Sequence, residues 1–393
     1  MKPRIFSQGF SRYNVSSIGG RLLTRSPQFH TSSSSSASAS SASASSASSS
    51  SSPPPRSRRW VQVALVTTAA AGIGAYIRSE QGSGSSTLSP TRFTPYYLVS
   101  REPVSSSGSI FTLQPPKADG SNRAVYEEAW TTGIWSVMFK QPQLQIGRDY
   151  TPLPSTSPEE EEDECLRFFI RRDPHGEVSR YLHNLDMGAP IEVRGPRVEC
   201  GIPPNTQHIL FVAGGTGIAP ALQAAHTLLR RTDQTRKPRI HILWANRNRD
   251  DCSGGINDTV VVPAPQRSWF FGRSTPPAAS PAPVASPLNQ TRSLIVRELE
   301  ALRAQYPGQM TVDYFVDEEG SAIGKQAILD FTKSVGLSSP KPSQDNLILV
   351  SGPEGFISYM AGPKLWAEGM ELQGPLRGII KELDLKDWAV WKL

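Results

Sequence analysis

The sequence predicts a small antiparallel β-barrel followed by an α/β domain on a parallel sheet, preceded by a disordered leader and one transmembrane helix. Three observations predict this. From Phe93 to Cys200, short β-rich segments are separated by Pro, Gly and Ser. Beyond Asn205, apolar runs of strand length alternate with helical stretches. And no Asp or Glu precedes Glu80.

The leader, 1–59, holds the source of the chain's net charge of +6: Lys2, Arg4, Arg12, Arg21, Arg25, Arg56, Arg58 and Arg59. Without it the chain is near neutrality, so the basicity is a targeting signal and no nucleic-acid partner is expected. Arg and Ser with interspersed Ile5, Phe6, Phe10, Leu22 and Leu23 make the composition of a mitochondrial presequence, a cationic amphipathic helix on an anionic membrane. The Ser/Ala tract from Thr31 to Ser52 cannot bury a core and reads as a disordered spacer. Residues 60–77 are uncharged; at 1.5 Å per residue they reach about 27 Å, enough for one crossing of the hydrocarbon core. Arg56, Arg58 and Arg59 precede them and only Arg78 follows closely. The positive-inside rule then keeps the N-terminus in the matrix and the later domains, at the mitochondrial inner membrane, in the intermembrane space.

The barrel, 91–200, is assigned strands at Tyr96 to Ser100, Ser109 to Leu113, Ile134 to Phe139, Arg167 to Arg172 and Ile191 to Arg194, a pattern of short strands and turns. The α/β domain, 205–393, has apolar strands at Ile209 to Ala213, Ile240 to Ala245, Thr311 to Val316 and Leu347 to Val350. Helical stretches lie between them at Ala219 to Arg231, Ser293 to Tyr306 and Lys325 to Val335, with another after Glu354. Such alternation implies a parallel sheet wrapped by helices. An insert at 251–290, rich in Pro, Ser and Ala, interrupts it. Its composition favours disorder over a partner-docking lid, with Trp269, Phe270 and Phe271 its apolar anchor.

Two runs carry chemistry. In Arg148-Asp149-Tyr150-Thr151-Pro152, the guanidinium suits a pyrophosphate and the Tyr150 ring a flat heteroaromatic system. Downstream, Gly176 permits close backbone approach, and after Val178 the Ser179 hydroxyl and a helix start face phosphate. In Phe211 to Pro220, Gly214, Gly215 and Gly217 sit at a strand-to-helix turn where a Cβ would block a dinucleotide, and Thr216 adds a donor. Pro220 is tolerated in the first helical turn.

Order and spacing of these runs resemble the ferredoxin-reductase and NADH-cytochrome b5 reductase flavoproteins, over about Phe93 to Val390. The resemblance implies FAD, held by Arg148, Tyr150, Thr151, Pro152, Gly176, Val178 and Ser179, with Thr151 near flavin N5. It implies NADH or NADPH on Gly214, Gly215, Thr216 and Gly217. Ser351, Gly352, Pro353 and Glu354 stand where the family has Cys-Gly-Pro-Pro, so Ser351 replaces the thiol beside the nicotinamide. Thr151 and Ser351 are the catalytic candidates. The leader, span and Ser-Gly-Pro-Glu-Gly variant are similar to the fungal branch linked to haem attachment, which implies a haem-protein acceptor, apocytochrome c with haem or the attachment machinery. An NADH-cytochrome b5 reductase and a degenerate flavoprotein acting as an assembly or import factor are the alternatives.

Other features are weaker. Arg247 and Arg249 suit a 2′-phosphate, whereas Asp250 and Asp251 oppose one, leaving NADH and NADPH both open. Glu159 to Glu164 is an acidic block, a solvated loop or a patch that steers a basic acceptor. Cys165, Cys200 and Cys252 are isolated, with no Cys-x-x-Cys pair, so no metal site is expected.

Overall fold

The computed structural model describes residues 87–116, 120–155, 161–231, 237–259, 292–338, 346–367 and 369–393. All fall in one compact unit, Gly72–Leu393. The leader 1–59, the apolar stretch 60–77 and most of the insert, 260–291, lie outside the described residues. Among those described, no helix is long and apolar enough to cross a membrane.

The first sheet contains β1 (Thr94–Pro103), β2 (Gly108–Gln114), β3 (Gly133–Gln141), β4 (Ile146–Tyr150), β5 (Pro152–Leu153), β6 (Leu166–Arg171) and β7 (Pro190–Gly201). Helix α1 (Arg123–Thr132) precedes β3 and α2 (Glu177–His183) precedes β7. The strand order is β4-β3-β7-β1-β2-β6-β5, and every neighbouring pair is antiparallel. Tyr96 and Leu98 of β1 are buried while Tyr97 and Val99 are exposed, the period-two alternation that turns one face inward. Phe111, Trp135, Phe139, Phe168 and Ile191 meet them in the barrel core. Strands β4 and β5 stand at opposite ends of the strand order, yet Thr151 alone separates them in the chain. The sheet must therefore curl until its ends meet at Thr151.

The second sheet, in the order β10-β9-β8-β11-β14, is parallel throughout. It is built from β8 (His208–Gly214), β9 (Arg239–Asn246), β10 (Met310–Val316), β11 (Asn346–Ser351) and β14 (Trp388–Lys392). Helices α3 (Ile218–Arg230) and α4 (Leu294–Gln305) cover one face; α5 (Lys325–Ser338), α6 (Glu354–Ala361) and α7 (Gly378–Glu382) cover the other. Ile209, Phe211 and Ala213 join the first core and Leu210 and Val212 the second, so β8 is apolar on both sides, as a doubly covered parallel strand must be. A short hairpin, β12 (Leu365–Ala367) and β13 (Met370–Leu372), completes the fold.

Helix α3 is buried nearly all round. It is sandwiched: its core also takes in Ile134, Leu153, Phe169, Cys200 and Ile202 of the barrel. That explains its Ala content, because Ala219, Ala221, Ala224 and Ala225 let sheet and barrel approach from both sides. His226 of α3 is caught in this junction, its ring 5.2 Å from that of Trp130 and its Nε2 3.3 Å from the Arg230 guanidinium. Burial, with Arg230 adding to it, pushes the imidazole down to about 4. The folded protein therefore holds this group neutral where the unfolded chain, near 6.5, binds a proton. Its contribution is fully present above about pH 6.5 and is lost as pH falls toward 4, by roughly 2–3 kcal/mol. Thermal melts over that interval should show a falling Tm, and His226→Leu should flatten the fall. An unchanged slope in the variant would reject His226 as its source.

No disulfide joins the three cysteines, and Cys200 and Cys252 are buried. The insert does not begin as bare linker. Asp251 and Cys252 are buried, and Asn257 and Asp258 bond the backbone of Tyr314 and Val312 along the exposed edge of β10.

Candidate active site

Thr151 opens onto a cleft of about 170 Å³ between the barrel and the parallel sheet. Asp149, Tyr150, Thr151 and Phe169 line it from the barrel. Thr216 and Gly217 of the turn after β8, Ala219 and Pro220 at the start of α3, and Ser351 and Gly352 at the end of β11 line it from the other side. These lie at the C-terminal ends of β8 and β11, the edge at which open α/β sheets take ligands. A larger hollow of about 450 Å³ lies beside Met310 and the Arg303–Asp258 ion pair. It adjoins the N-terminal end of β10, the wrong edge for a nucleotide, so the smaller cleft is the functional one.

Of the expected residues, Tyr150, Thr151, Thr216, Gly217, Ser351 and Gly352 line this cleft, and the others stand outside its lining. Tyr150 ends β4 with its ring 4.9 Å from Phe139, and burial raises its hydroxyl well above the ordinary value. Arg148 is exposed on β4, its guanidinium donating to the Gly147 carbonyl at 3.0 Å. Pro152 opens β5 and is buried. Gly176 precedes α2, Val178 is buried beneath it, and Ser179 is buried as well. The Ser179 hydroxyl accepts from the Asp173 N–H at 3.1 Å and donates to the Gly176 carbonyl at 3.2 Å. It shapes the turn rather than standing open for phosphate.

The glycines are accounted for in part by the protein itself. A Cβ on Gly217 would run into the Ser351 backbone, 2.7 Å from its carbonyl carbon, and one on Gly214 would meet the Phe356 ring at 2.8 Å. Gly352, at φ +151°, lies against Gly214. Gly217 thus lets the turn after β8 close on β11, and Gly214 leaves room for the Phe356 ring of α6. Gly215 is different: at φ +55° its open side meets only the Arg171 guanidinium at 3.5 Å. Pro353 caps α6, accepting from Phe356 and Ile357 at 2.9 and 3.0 Å, and Glu354 is exposed in its first turn.

Three groups escaped the sequence reading. Asp149, at the variable position of its run, pairs with Arg197 at 3.2 Å; burial raises its carboxyl, partly offset by Arg197. Phe169 supplies an apolar wall. Arg171, at the end of β6, pairs with Asp251, whose second oxygen accepts from Ser105 at 2.6 Å. The neighbouring Asp250 accepts from the Ser106 N–H at 2.6 Å. The two acids expected to repel a 2′-phosphate are therefore turned to the barrel. Only their position in sequence, after a strand end, was visible without the fold.

Arg249 is chelated instead. Its Nε donates to Glu319 at 2.6 Å, and a second nitrogen bonds the other oxygen. That bonding lowers the Glu319 carboxyl and raises the guanidinium. A neutralised arginine offers a 2′-phosphate little. Glu319→Gln should raise the preference for NADPH over NADH by roughly tenfold, the worth of one freed charge-assisted contact. Equal KM ratios in variant and parent would reject this pairing as the determinant. In the acidic block, Glu164 bonds the Asn122 N–H at 2.6 Å at the start of α1, whereas Glu161, Glu162 and Asp163 are exposed.

A ring-bearing strand, a glycine turn beside a guanidinium, and the Ser351-Gly352 backbone facing one cleft fit FAD and a nicotinamide nucleotide side by side. Comparison with known proteins agrees. Residues 95–201 match the oxidoreductase FAD-binding domain, and residues 211–254 the oxidoreductase NAD-binding domain. The chain is 27% identical over 250 residues to NADH-cytochrome b5 reductase 2 of Emericella nidulans, covering 62% of this chain and 61% of that protein. It is 23% identical to the protein of that name from Kluyveromyces lactis, covering 86% of this chain and 98% of that one. The cytochrome b5 reductase domain of Ulva prolifera nitrate reductase is 16% identical, with 69% of this chain and 91% of that one covered at a TM-score of 0.44. The chain carries FAD- and NAD-binding domains of the ferredoxin-reductase type, those of an FAD-dependent nicotinamide nucleotide oxidoreductase.

Proposed function

We propose that the chain takes reducing equivalents from NADH and delivers single electrons to a haem-protein acceptor. The observation that carries this is the shared cleft, in which Tyr150 and Thr151 of the barrel face Gly217 and Ser351 of the sheet. Bound FAD supplies the conversion of a hydride into single electrons. The chain's own residues orient and shield. Thr151, at the seam of the barrel, presents its polar groups to the flavin side of the cleft. Phe169 and Pro220 narrow the wetted space, which strengthens the electrostatic interactions inside. Ser351 stands at the nicotinamide side as a smaller, less polarizable group than a thiol, so ring alignment is looser and transfer slower. The chelated Arg249 favours NADH.

We assign the acceptor to haem destined for apocytochrome c, with the chain at the mitochondrial inner membrane and its C-terminal domains facing the intermembrane space. The acid-free leader, the uncharged stretch 60–77 and the similarity to the haem-attachment branch support this, since haem iron must be ferrous before its thioether bonds form. A second reading, reduction of cytochrome b5, is favoured by the names of the relatives. Purified full-length chain supplied with NADH, and offered haem-bound apocytochrome c or cytochrome b5 in turn, separates them. Faster reduction of the first is expected. Reduction of cytochrome b5 alone would reject the assignment.

A further inference from the structure

Gln223 lies in the middle of α3 and is wholly buried, among Ala221, Leu222, Ala224 and Ala225. A buried amide persists only where its polar atoms are bonded. Here both are, and both partners belong to the barrel. Oε1 accepts from the Trp135 N–H and Nε2 donates to the Pro152 carbonyl, each at 2.9 Å.

The geometry at those partners is informative. The ladder between β3 and β4 runs from Val137 to Gln141, so Trp135 lies beyond its end. Strand β5 pairs with β6 and not with β4. Between Trp135 and Pro152 the barrel has a seam with no ladder, and the Gln223 amide fills it, accepting from one strand and donating to the other as a peptide unit would. Thr151, the residue before Pro152, is the cleft residue that spans this seam. The helix that carries Gln223 starts at the Gly215–Gly217 turn.

We propose that Gln223 is a positioning residue for Thr151. Through the Pro152 carbonyl it sets the flavin-facing threonine relative to the nucleotide turn, so that α3 fixes the separation of the two reacting rings. This rests on the reading of the cleft given above.

The test compares Gln223→Met, which keeps the shape and removes both bonds, with Thr227→Ala. The latter removes another bond from α3 to the barrel, to the Trp130 carbonyl at 2.9 Å, away from Thr151. Two quantities are read. Hydrogen exchange at the Trp135 amide, measured on FAD-stripped protein, should quicken about tenfold or more in Gln223→Met and stay unchanged in Thr227→Ala. In FAD-loaded protein, the rate of flavin bleaching at saturating NADH should fall about tenfold in Gln223→Met, with the Kd for NADH within about twofold of the parent. Thr227→Ala should bleach at the parental rate. If Gln223→Met is not recovered folded, Gln223→Leu carries the test; it too removes both bonds, so the same faster exchange and slower bleaching are expected. Parental bleaching in either Gln223 variant, or equal slowing in Thr227→Ala, overturns the proposal. Failure of the parental chain to take up FAD would count against the flavin reading instead, because the exchange at Trp135 is read without cofactor.

Discussion

Gly217→Ala should lower stability by roughly 3 kcal/mol, at the upper end for an overpacked core, and abolish NADH-driven flavin bleaching. The backbone at Gly217 is helical, φ −59° and ψ −6°, so an alanine suffers no dihedral penalty and the whole cost is steric. The added methyl would meet the Ser351 carbonyl carbon at 2.7 Å and the Gly352 nitrogen at 3.0 Å. Backbone on both sides leaves no flexible side chain to give way, so β8 and β11 must part at the point where the cleft is formed. Gly215→Ala is the contrast. Its φ of +55° is left-handed, but the space beside it is open to 3.5 Å; the stability loss should stay near 1–2 kcal/mol. Thermal melts and bleaching rates of both variants check the ranking. A parental melt for Gly217→Ala would show that the contact with β11 is not as tight as described.

Asp251→Ala is expected to cost about 3 kcal/mol, the scale for breaking a buried ion pair from one side. The Asp251 side chain is 3% exposed and that of its partner Arg171 is 27% exposed. Its loss strands the guanidinium beside Gly215 and leaves the Ser105 hydroxyl without its acceptor. The Ser293 hydroxyl, which bonds the Asp251 carbonyl at 3.3 Å, keeps its partner, so α4 should stay seated while the barrel loosens from the nucleotide turn. Replacing both partners, as Arg171→Met with Asp251→Leu, should recover much of the stability, because no buried charge is then left alone. Urea melts of the single and double variants decide. A single variant within about 0.5 kcal/mol of the parent would mean that the pair is solvated and contributes little.

Much of the architecture was legible because one-sided or two-sided burial leaves a periodic trace. The alternation along Tyr96 to Ser100 and the unbroken apolar run Ile209 to Ala213 gave the barrel strand and the central parallel strand. Strand β4 left no such trace, since Ile146 to Tyr150 is half-exposed and polar on both faces. Helix α1 was not read although Asn122 stands at its N-cap position; in the fold that side chain accepts from the Leu88 N–H at 2.6 Å and makes no cap bond. Hairpin β12–β13 is exposed along its length and so carries no burial pattern to read.

At the site, the glycine turn and the Tyr150-Thr151 run were visible as short motifs. Their partners were not. Gln223 reaches Trp135 and Pro152 across 88 and 71 residues, and Asp251 reaches Arg171 across 80. Read locally, Asp250 and Asp251 were charges opposing Arg247 and Arg249; the fold turns them to the barrel and gives Arg249 a different acid, Glu319. The Gly217 requirement likewise comes from β11, far along the chain, as well as from any ligand.

On the proposed reading, one cleft lined by Thr151 and Gly217 seats flavin and nicotinamide against each other. Rapid mixing of the purified, FAD-loaded chain with NADH under anaerobic conditions tests it most directly. Full loss of the oxidised flavin absorbance in a single turnover, slowed by substitution of Thr151 and abolished by Gly217→Ala, is the expected result. Flavin that binds in about one copy per chain but keeps its colour in excess NADH would contradict it, and would leave a fold that holds the cofactor for some purpose other than electron transfer.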